Sequence, residues 1–248
     1  MLYIRNMKPI LIISFLLLCF NYRVIAQQQF TINDEGYYAI IKDTDEYVNI
    51  RSKPNNKGSI IGKIYYYSVF NCEPNYSNWW KILQSYENDQ SYWLEGYVNK
   101  SRVELLTKWQ KIGSKNIYYD SCRYKTNSLT ITIKRATFKP KKHKLLYDCT
   151  QPYLSKIDGK HFWGADGDLP KKLISSIKVT KNGIDIMIPK DAFSDLYEPN
   201  FQTLSICKGS ENTFYIKMDN SDGAGGYTII WIISDGKYYG RYIDTSFA

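Results

Sequence analysis

The chain has 248 residues, of which 44% are hydrophobic and 16% are aromatic, and its formal net charge is +9. This composition excludes extensive disorder, because the chain has enough apolar surface to bury on folding. The length suits two small domains, each with a core of its own.

Residues 1–26 predict an export signal. Arg5 and Lys8 precede an apolar run at residues 10–20, and small residues lead to a predicted cut after Ala26. The run is shorter than the roughly 20 apolar residues that span a bilayer, and no later segment is longer. The sequence therefore predicts a signal peptide and no transmembrane segment.

After cleavage the protein is predicted to be periplasmic or secreted. Cys19 suggests a lipoprotein as the alternative, but Leu18 stands where a lipidation site has a small residue, which makes that alternative less favoured. Cleavage removes three basic residues and no acidic one, so the net charge falls from +9 to +6. This moderate excess suits acidic envelope surfaces, such as lipid headgroups or wall polymers, and no nucleic-acid partner is predicted.

Short β-rich runs separated by polar turns fill residues 37–106. An alternating run at residues 48–50 is followed by turn residues that include Asn55 and Gly58, and further β-rich runs cover residues 59–70, 79–83 and 92–98. Short strands at this spacing, with no helical period, predict a small β-barrel.

The motif carried by residues 47–54, read together with residues 58–64, 79–82 and 96–98, resembles the bacterial SH3-like (SH3b) domain. That family of small barrels occurs in exported and cell-wall-associated proteins. The resemblance implies a structural role for the 49–54 segment and a core position for Trp80. Where the family often has Gly-Trp, this chain has Gly96-Tyr97, which departs from the family's pattern at a contact position.

Aromatic residues of this first domain predict a groove for peptide or glycan. Neighbouring residues of a strand face opposite ways, so Trp80 is expected in the core and Trp79 at the surface. We expect Trp79 to bind together with Tyr76, Trp93 and Tyr97. The structural alternative is that a barrel this small uses its large aromatics to fill the core.

Residues 107–248 are expected to form a second, mostly antiparallel β domain with one or two short helices. Residues 129–133 alternate between apolar and polar, which is typical of a strand. Three turn pairs favour hairpins because glycine accepts positive φ: Asp158-Gly159, Asn182-Gly183 and Asp235-Gly236. Residues 176–180 should pair with 184–188, and 227–233 with 237–243. Helical turns are expected at residues 170–174 and 191–197.

Two parts of this second domain are candidate recognition surfaces. One is a basic run that contains Lys141 and Lys142, and the other is a glycine-rich segment with Asp222, Gly223 and Tyr227. A lysine-guarded edge and an ordinary glycine turn are the structural alternatives. Three segments, at residues 162–170, 192–200 and 220–239, also resemble a group of uncharacterised exported bacterial proteins, which implies a shared fold and no activity.

Four cysteines remain after cleavage: Cys72, Cys122, Cys149 and Cys207. An oxidising compartment favours disulfides, and three pairings are open. Cys122 with Cys149 is the favoured pair, because these two bracket one short β-rich segment.

No catalytic residue, metal site or cofactor is predicted. Asp120-Ser121-Cys122 is similar to the start of a wall-cutting cysteine peptidase but leads into a predicted strand, and no Gly-x-Ser-x-Gly elbow exists. His143 and His161 lack the spacing of metal ligands. We therefore expect an exported, non-enzymatic binding protein whose SH3-like domain docks on cell-wall peptide or an envelope protein. An inhibitor of a toxic envelope enzyme and a wall hydrolase are the alternatives, and the oligomeric state stays open.

Overall fold

A computed structural model of the chain describes residues 37–42, 46–75, 77–86, 89–106, 113–150, 153–209 and 212–245, without the side chains of residues 84–86 and 89–93. The predicted signal peptide, Tyr76 and residues 107–112 lie outside the described residues. The described part is mainly β, with antiparallel sheets and only short 3₁₀ helices. The predicted fold class is confirmed.

Seven strands form the N-terminal sheet, in the spatial order β3-β2-β6-β5-β4-β1-β7. Their bounds are β1 Tyr37–Ile41, β2 Tyr47–Arg51, β3 Ile60–Tyr65, β4 Val69–Glu73, β5 Trp79–Tyr86, β6 Asp89–Asn99 and β7 Val103–Leu105. A 3₁₀ helix at Lys100–Arg102 leads into β7.

The N-terminal sheet curls around one apolar core. Ile64 of β3 and Val103 of β7 belong to the same buried cluster as Ile50, Phe70 and Trp80, although β3 and β7 stand at opposite ends of the sheet. Strands at the two ends can share a core only if the sheet bends strongly. The expected barrel is therefore an open, curled sheet in which β3 and β7 are not paired with each other.

Three further sheets follow. The strands β8 Ser114–Ile117, β9 Ser121–Lys125, β10 Leu129–Thr137, β13 Lys172–Lys181 and β14 Ile184–Ile186 form the outer sheet. The strands β11 Leu145–Tyr147 and β12 Leu154–Ile157 pair only with each other. The central sheet contains β15 Ser205–Lys208, β16 Phe214–Asn220, β17 Tyr227–Ser234 and β18 Lys237–Asp244. Other 3₁₀ helices lie at Pro140–Lys142, Lys190–Ala192 and Gly223–Gly225.

The central sheet is covered on both faces. Ile229 and Trp231 of β17 pack in the core shared with the outer sheet, whereas Ile230 and Ile232 pack against Tyr38 of the N-terminal sheet. Every residue of β17 is buried. A run of apolar residues without alternation is what a strand covered on both faces requires.

The predicted hairpins are confirmed where glycine turns close them. Asn182 and Gly183 have positive φ, and Lys181 pairs with Ile184. β17 and β18 pair along their length around the turn at Asp235. The helix expected at residues 170–174 is wrong, because β13 begins at Lys172 and pairs with β10 there.

The predicted disulfide is not formed in the structure, where all four described cysteines are free thiols. Cys122 points from β9 into the apolar core, whereas Cys149 is exposed beyond β11. Burial raises the pKa of Cys72 to about 12 and that of Cys207 to about 11. Buried thiols of this kind behave as small apolar side chains.

Candidate functional site

The outer face of β5 and β6 brings two of the predicted ligand-binding residues together. Lys81 lies opposite Tyr97, and Trp79 lies opposite Asn99. Directly opposed residues of an antiparallel pair share a face, so Trp79 and Tyr97 are diagonal neighbours on one side of the sheet. Both side chains are partly exposed.

The inner face of the same strands is closed. Trp80 is only 8% exposed and packs with Ile82 and Val98 in the curled sheet's core. Its indole Nε1 donates a hydrogen bond of 3.1 Å to the Asn75 carbonyl oxygen. The predicted orientation of Trp80, in the core and opposite to Trp79, is confirmed.

Of the other two predicted groove residues, only the backbone of Trp93 is described. Trp93 lies opposite Ser85, six residues along β6 from Asn99, the partner of Trp79. At about 3.3 Å per residue that is roughly 20 Å along the strand. Tyr76 lies outside the described residues, so the described aromatic face consists of Trp79 and Tyr97.

Charged side chains flank this aromatic face. Lys81 Nζ lies 3.1 Å from the Glu95 carboxylate, and this hydrogen bond raises the pKa of Lys81. Arg51 of β2 is in register with Tyr97 and donates from Nη1 to the Gly58 carbonyl at 2.8 Å. The face thus combines aromatic surface with both signs of charge, which is a chemistry suited to peptides.

Residues 162–170, 192–200 and 220–239 converge in the second half of the chain. The Trp163 amide donates to the Asp195 carbonyl at 2.9 Å, and the Tyr197 amide donates back to the Trp163 carbonyl at 2.9 Å. Ser221 Oγ donates to the Gly164 carbonyl at 2.9 Å. Hydrogen bonds among all three segments thus fix one local structure.

A cavity of about 550 Å³ opens where these segments meet. Its lining includes Asp166, Asp168, Glu198 and Asp222. Glu198 is engaged already, because its Oε1 accepts the amide of Lys172 at 3.0 Å. Within the described residues, no group of histidine, cysteine and carboxylate side chains is arranged to hold a metal ion.

The residues of the glycine-rich segment predicted as a recognition surface differ in their exposure. Asp222 and Gly223 are exposed, Asp222 at the edge of the cavity. Tyr227 is fully buried, so its prediction as a surface residue is corrected: β17 begins there, and the Tyr227 hydroxyl donates to the Tyr197 carbonyl at 2.9 Å. Lys141 and Lys142 lie on a separate exposed 3₁₀ helix.

A histidine–carboxylate pair was missed by the sequence reasoning. His143 Nδ1 lies 2.8 Å from Asp158 Oδ2, and the hydrogen bonds from His143 and the Lys144 amide lower the pKa of Asp158. The pair lines a second cavity of about 410 Å³, together with Ser175 and Ser194. In the described part of the chain no hydrogen bond joins His143 to either serine.

Comparison with protein-family models, curated proteins and solved structures returns no match for this chain. The likeness to SH3-like domains therefore stays a prediction from residues 47–98. None of the helices in the described ranges is long and apolar enough to cross a bilayer.

Proposed function

We propose that this protein is an exported binding protein that acts without catalysis and recognises cell-wall peptide through the aromatic face of β5 and β6. The observation that carries the proposal is that Trp79 and Tyr97 are diagonal neighbours on one partly exposed face, with Trp80 turned inward. An aromatic side chain that the core does not need is available for a ligand.

The flanking charges support peptide as the ligand. Wall peptides carry both carboxylates and amino groups, and Lys81, Glu95 and Arg51 border the aromatic pair. Aromatic and arginine side chains are enriched among the residues that contribute most to protein interfaces. The export signal predicted in residues 1–26 would bring this face into the compartment that contains such peptides.

Retention on purified peptidoglycan tests the proposal. The chain from Gln27 onward should be retained, and Trp79→Ala should weaken retention about tenfold or more, since an aromatic anchor at an interface contributes more than about 1.4 kcal/mol. Tyr119→Ala is the matched control, because Tyr119 is 81% exposed in the other half of the chain. Both variants are first compared with the wild type by thermal unfolding.

Two results would contradict the proposal. One is a wild-type chain that passes through the peptidoglycan unretained. The other is an equal loss of retention in the Trp79 and Tyr119 variants, which would indicate general surface adhesion rather than recognition by one face. If the protein captured an envelope protein but was not retained on peptidoglycan, we would conclude that its partner is an envelope protein.

A further inference from the structure

The hairpin of β11 and β12 stands apart from the three large sheets. Its strands pair only with each other, with Leu145 opposite Ile157 and Leu146 opposite Lys156. The inner face is anchored, because Leu154 and Ile157 belong to a buried apolar cluster with neighbouring segments. The hairpin is therefore a fixed feature of the surface, and its outer face is available.

That outer face is apolar where a solvated hairpin would be polar. Leu146 is 51% exposed, Tyr147 is 48% exposed and Tyr153 is 57% exposed. The register shifts between Leu146 and Tyr147, which marks a β-bulge. The extra residue of the bulge is Ser155 in β12, so Leu146 shares the outer face with Lys156, and Tyr147 lies opposite the buried Leu154 with its side chain still half exposed.

Lysines flank these apolar side chains in the sequence, and Lys156 lies directly opposite Leu146. Residues 139–160 contain six lysines and two aspartates, which gives this segment a net charge of +4. In the described part of the chain the Lys160 side chain pairs with Asp191, whereas the remaining five are exposed and make no ion pair: Lys139, Lys141, Lys142, Lys144 and Lys156. The lysine charge within residues 139–160 is thus largely unpaired, and two carboxylates outside this segment, Asp166 and Asp168, stand on either side of the Gly167 that packs against Tyr153.

We propose that the outer face of this hairpin docks on an anionic lipid bilayer. Leucine and tyrosine side chains with lysines around them match the interface of such a bilayer, where acyl chains meet negative headgroups. A hydrophilic polyanion would satisfy the lysines and leave Leu146 and Tyr147 in water. An anionic bilayer can bind the lysines through its headgroups and bury the apolar side chains among its acyl chains. Each lysine near the bilayer surface adds about fivefold to the binding constant.

This site is separate from the β5–β6 face and goes beyond the function proposed above. Vesicle flotation tests it with the chain from Gln27 onward. The protein should float with vesicles of phosphatidylcholine and phosphatidylglycerol and should stay behind with phosphatidylcholine alone. Added salt should weaken the binding without abolishing it, because salt screens the lysines and leaves the apolar contact intact.

Two variants separate the lysine contribution from the apolar one. Lys141→Gln with Lys142→Gln should lower the partition coefficient roughly twentyfold, at about fivefold per lysine. Leu146→Ser should lower it about tenfold. The matched controls are Lys53→Gln with Lys57→Gln and Ile184→Ser, all at exposed positions away from the hairpin. The controls should leave vesicle binding unchanged.

Three results would overturn the proposal. The first is no flotation with anionic vesicles. The second is an equal effect of hairpin and control variants, which would assign binding to the overall charge. The third is a soluble polyglutamate that displaces the vesicles from wild type and from Leu146→Ser equally well, which would make the site a polyanion site. Peptidoglycan retention is measured on the same variants and should be unaffected, so failure here is distinguishable from failure at the β5–β6 face.

Discussion

Gly164 shows how closely the converging segments of the second half pack. Its φ is +106°, and a Cβ at this position would lie 2.4 Å from the Tyr197 carbonyl oxygen. Only glycine accepts that φ at low cost, and only glycine leaves room for the neighbouring backbone. Gly159 also has positive φ, at +79°, but a Cβ there would meet nothing within 4 Å.

The two glycines make a matched test. Gly164→Ala should lower the free energy of unfolding by about 3 kcal/mol, the sum of backbone strain and overpacking. Gly159→Ala should cost about 1 kcal/mol, because it adds strain alone. Urea unfolding measures both. Equal losses would show that the close approach of Gly164 to Tyr197 does not contribute.

Single residues also show what local pattern can predict. The orientation of Trp80 follows from the period of two in a strand, and the burial pattern of β5 obeys it. The start of β17 at Tyr227 agrees with the strand predicted at residues 227–233, but the burial of Tyr227 does not follow from its neighbours, because local sequence does not indicate that both faces of this strand are covered. The pairing of His143 with Asp158 depends on the register of β11 with β12, which the short, weakly alternating strands do not specify.

Between elements, an ion pair joins β18 to the segment after the Lys190–Ala192 helix. The Arg241 guanidinium makes two hydrogen bonds of 2.6 Å to the Asp195 carboxylate, and the side chains are 16% and 10% exposed. A bidentate pair in so protected a site is a strong interaction. By contrast, the ion pair of Lys178 with Asp185 is exposed to solvent, since the two side chains are 66% and 61% exposed.

Removal of each aspartate should therefore have very different consequences. Asp195→Ala should lower the free energy of unfolding by about 3–5 kcal/mol, because it takes the carboxylate away from a poorly hydrated guanidinium. Asp185→Ala should leave it nearly unchanged, because water screens the exposed pair. A small effect at Asp195, measured by urea unfolding, would contradict this reading of the pair.

Hairpins and strand types were predictable at the scale of elements, and helices only in part: the turn expected at residues 191–197 overlaps the 3₁₀ helix at Lys190–Ala192, whereas none forms at residues 170–174. Asn-Gly and Asp-Gly turns accept positive φ, so the two hairpins they close follow from sequence. Residues 170–174 contain a proline followed by two lysines and two apolar residues, a pattern that fits a first helical turn as well as a strand. The pairing of β13 with β10 decides between them, and it involves residues about 40 positions apart.

At the scale of the molecule, three layers share two cores. The N-terminal sheet packs on one face of the central sheet, and the outer sheet packs on the other. Composition and alternation predicted mainly β structure, but they do not indicate which sheet faces are covered. Contacts such as that between Tyr38 of β1 and Asp244 of β18, at 2.8 Å, join residues 206 positions apart, and local sequence does not encode them.

Because it contains buried tyrosines and thiols, the protein should become less stable as the pH rises into the alkaline range. Burial raises the pKa of four tyrosines, Tyr38, Tyr197, Tyr215 and Tyr227, and also raises the pKa of Cys72 to about 12 and of Cys207 to about 11. In the unfolded chain these groups ionise near pH 10 and 8.5. The unfolded state therefore loses protons first as pH rises, and the stability present below about pH 8.5 is lost above it.

Urea unfolding over a series of pH values measures this loss. The free energy of unfolding should be level between about pH 7 and 8, and each titrating tyrosine or thiol should lower it by about 1.4 kcal/mol per pH unit above that. Replacement of Tyr215 by Phe should reduce the slope near pH 10. A stability that stays constant to about pH 11 would contradict the burial of these groups.

The most direct test of the account is whether Trp79, and not its neighbour, meets the ligand. Tryptophan indole N–H signals are recorded by NMR while soluble peptidoglycan fragments are added to the chain from Gln27 onward. The Trp79 signal should shift in a saturable way, whereas those of Trp80 and Trp231 should not move, because their indole N–H groups are bonded to the Asn75 and Ala192 carbonyls. An unmoved Trp79 signal at saturating fragment would contradict the proposed binding face.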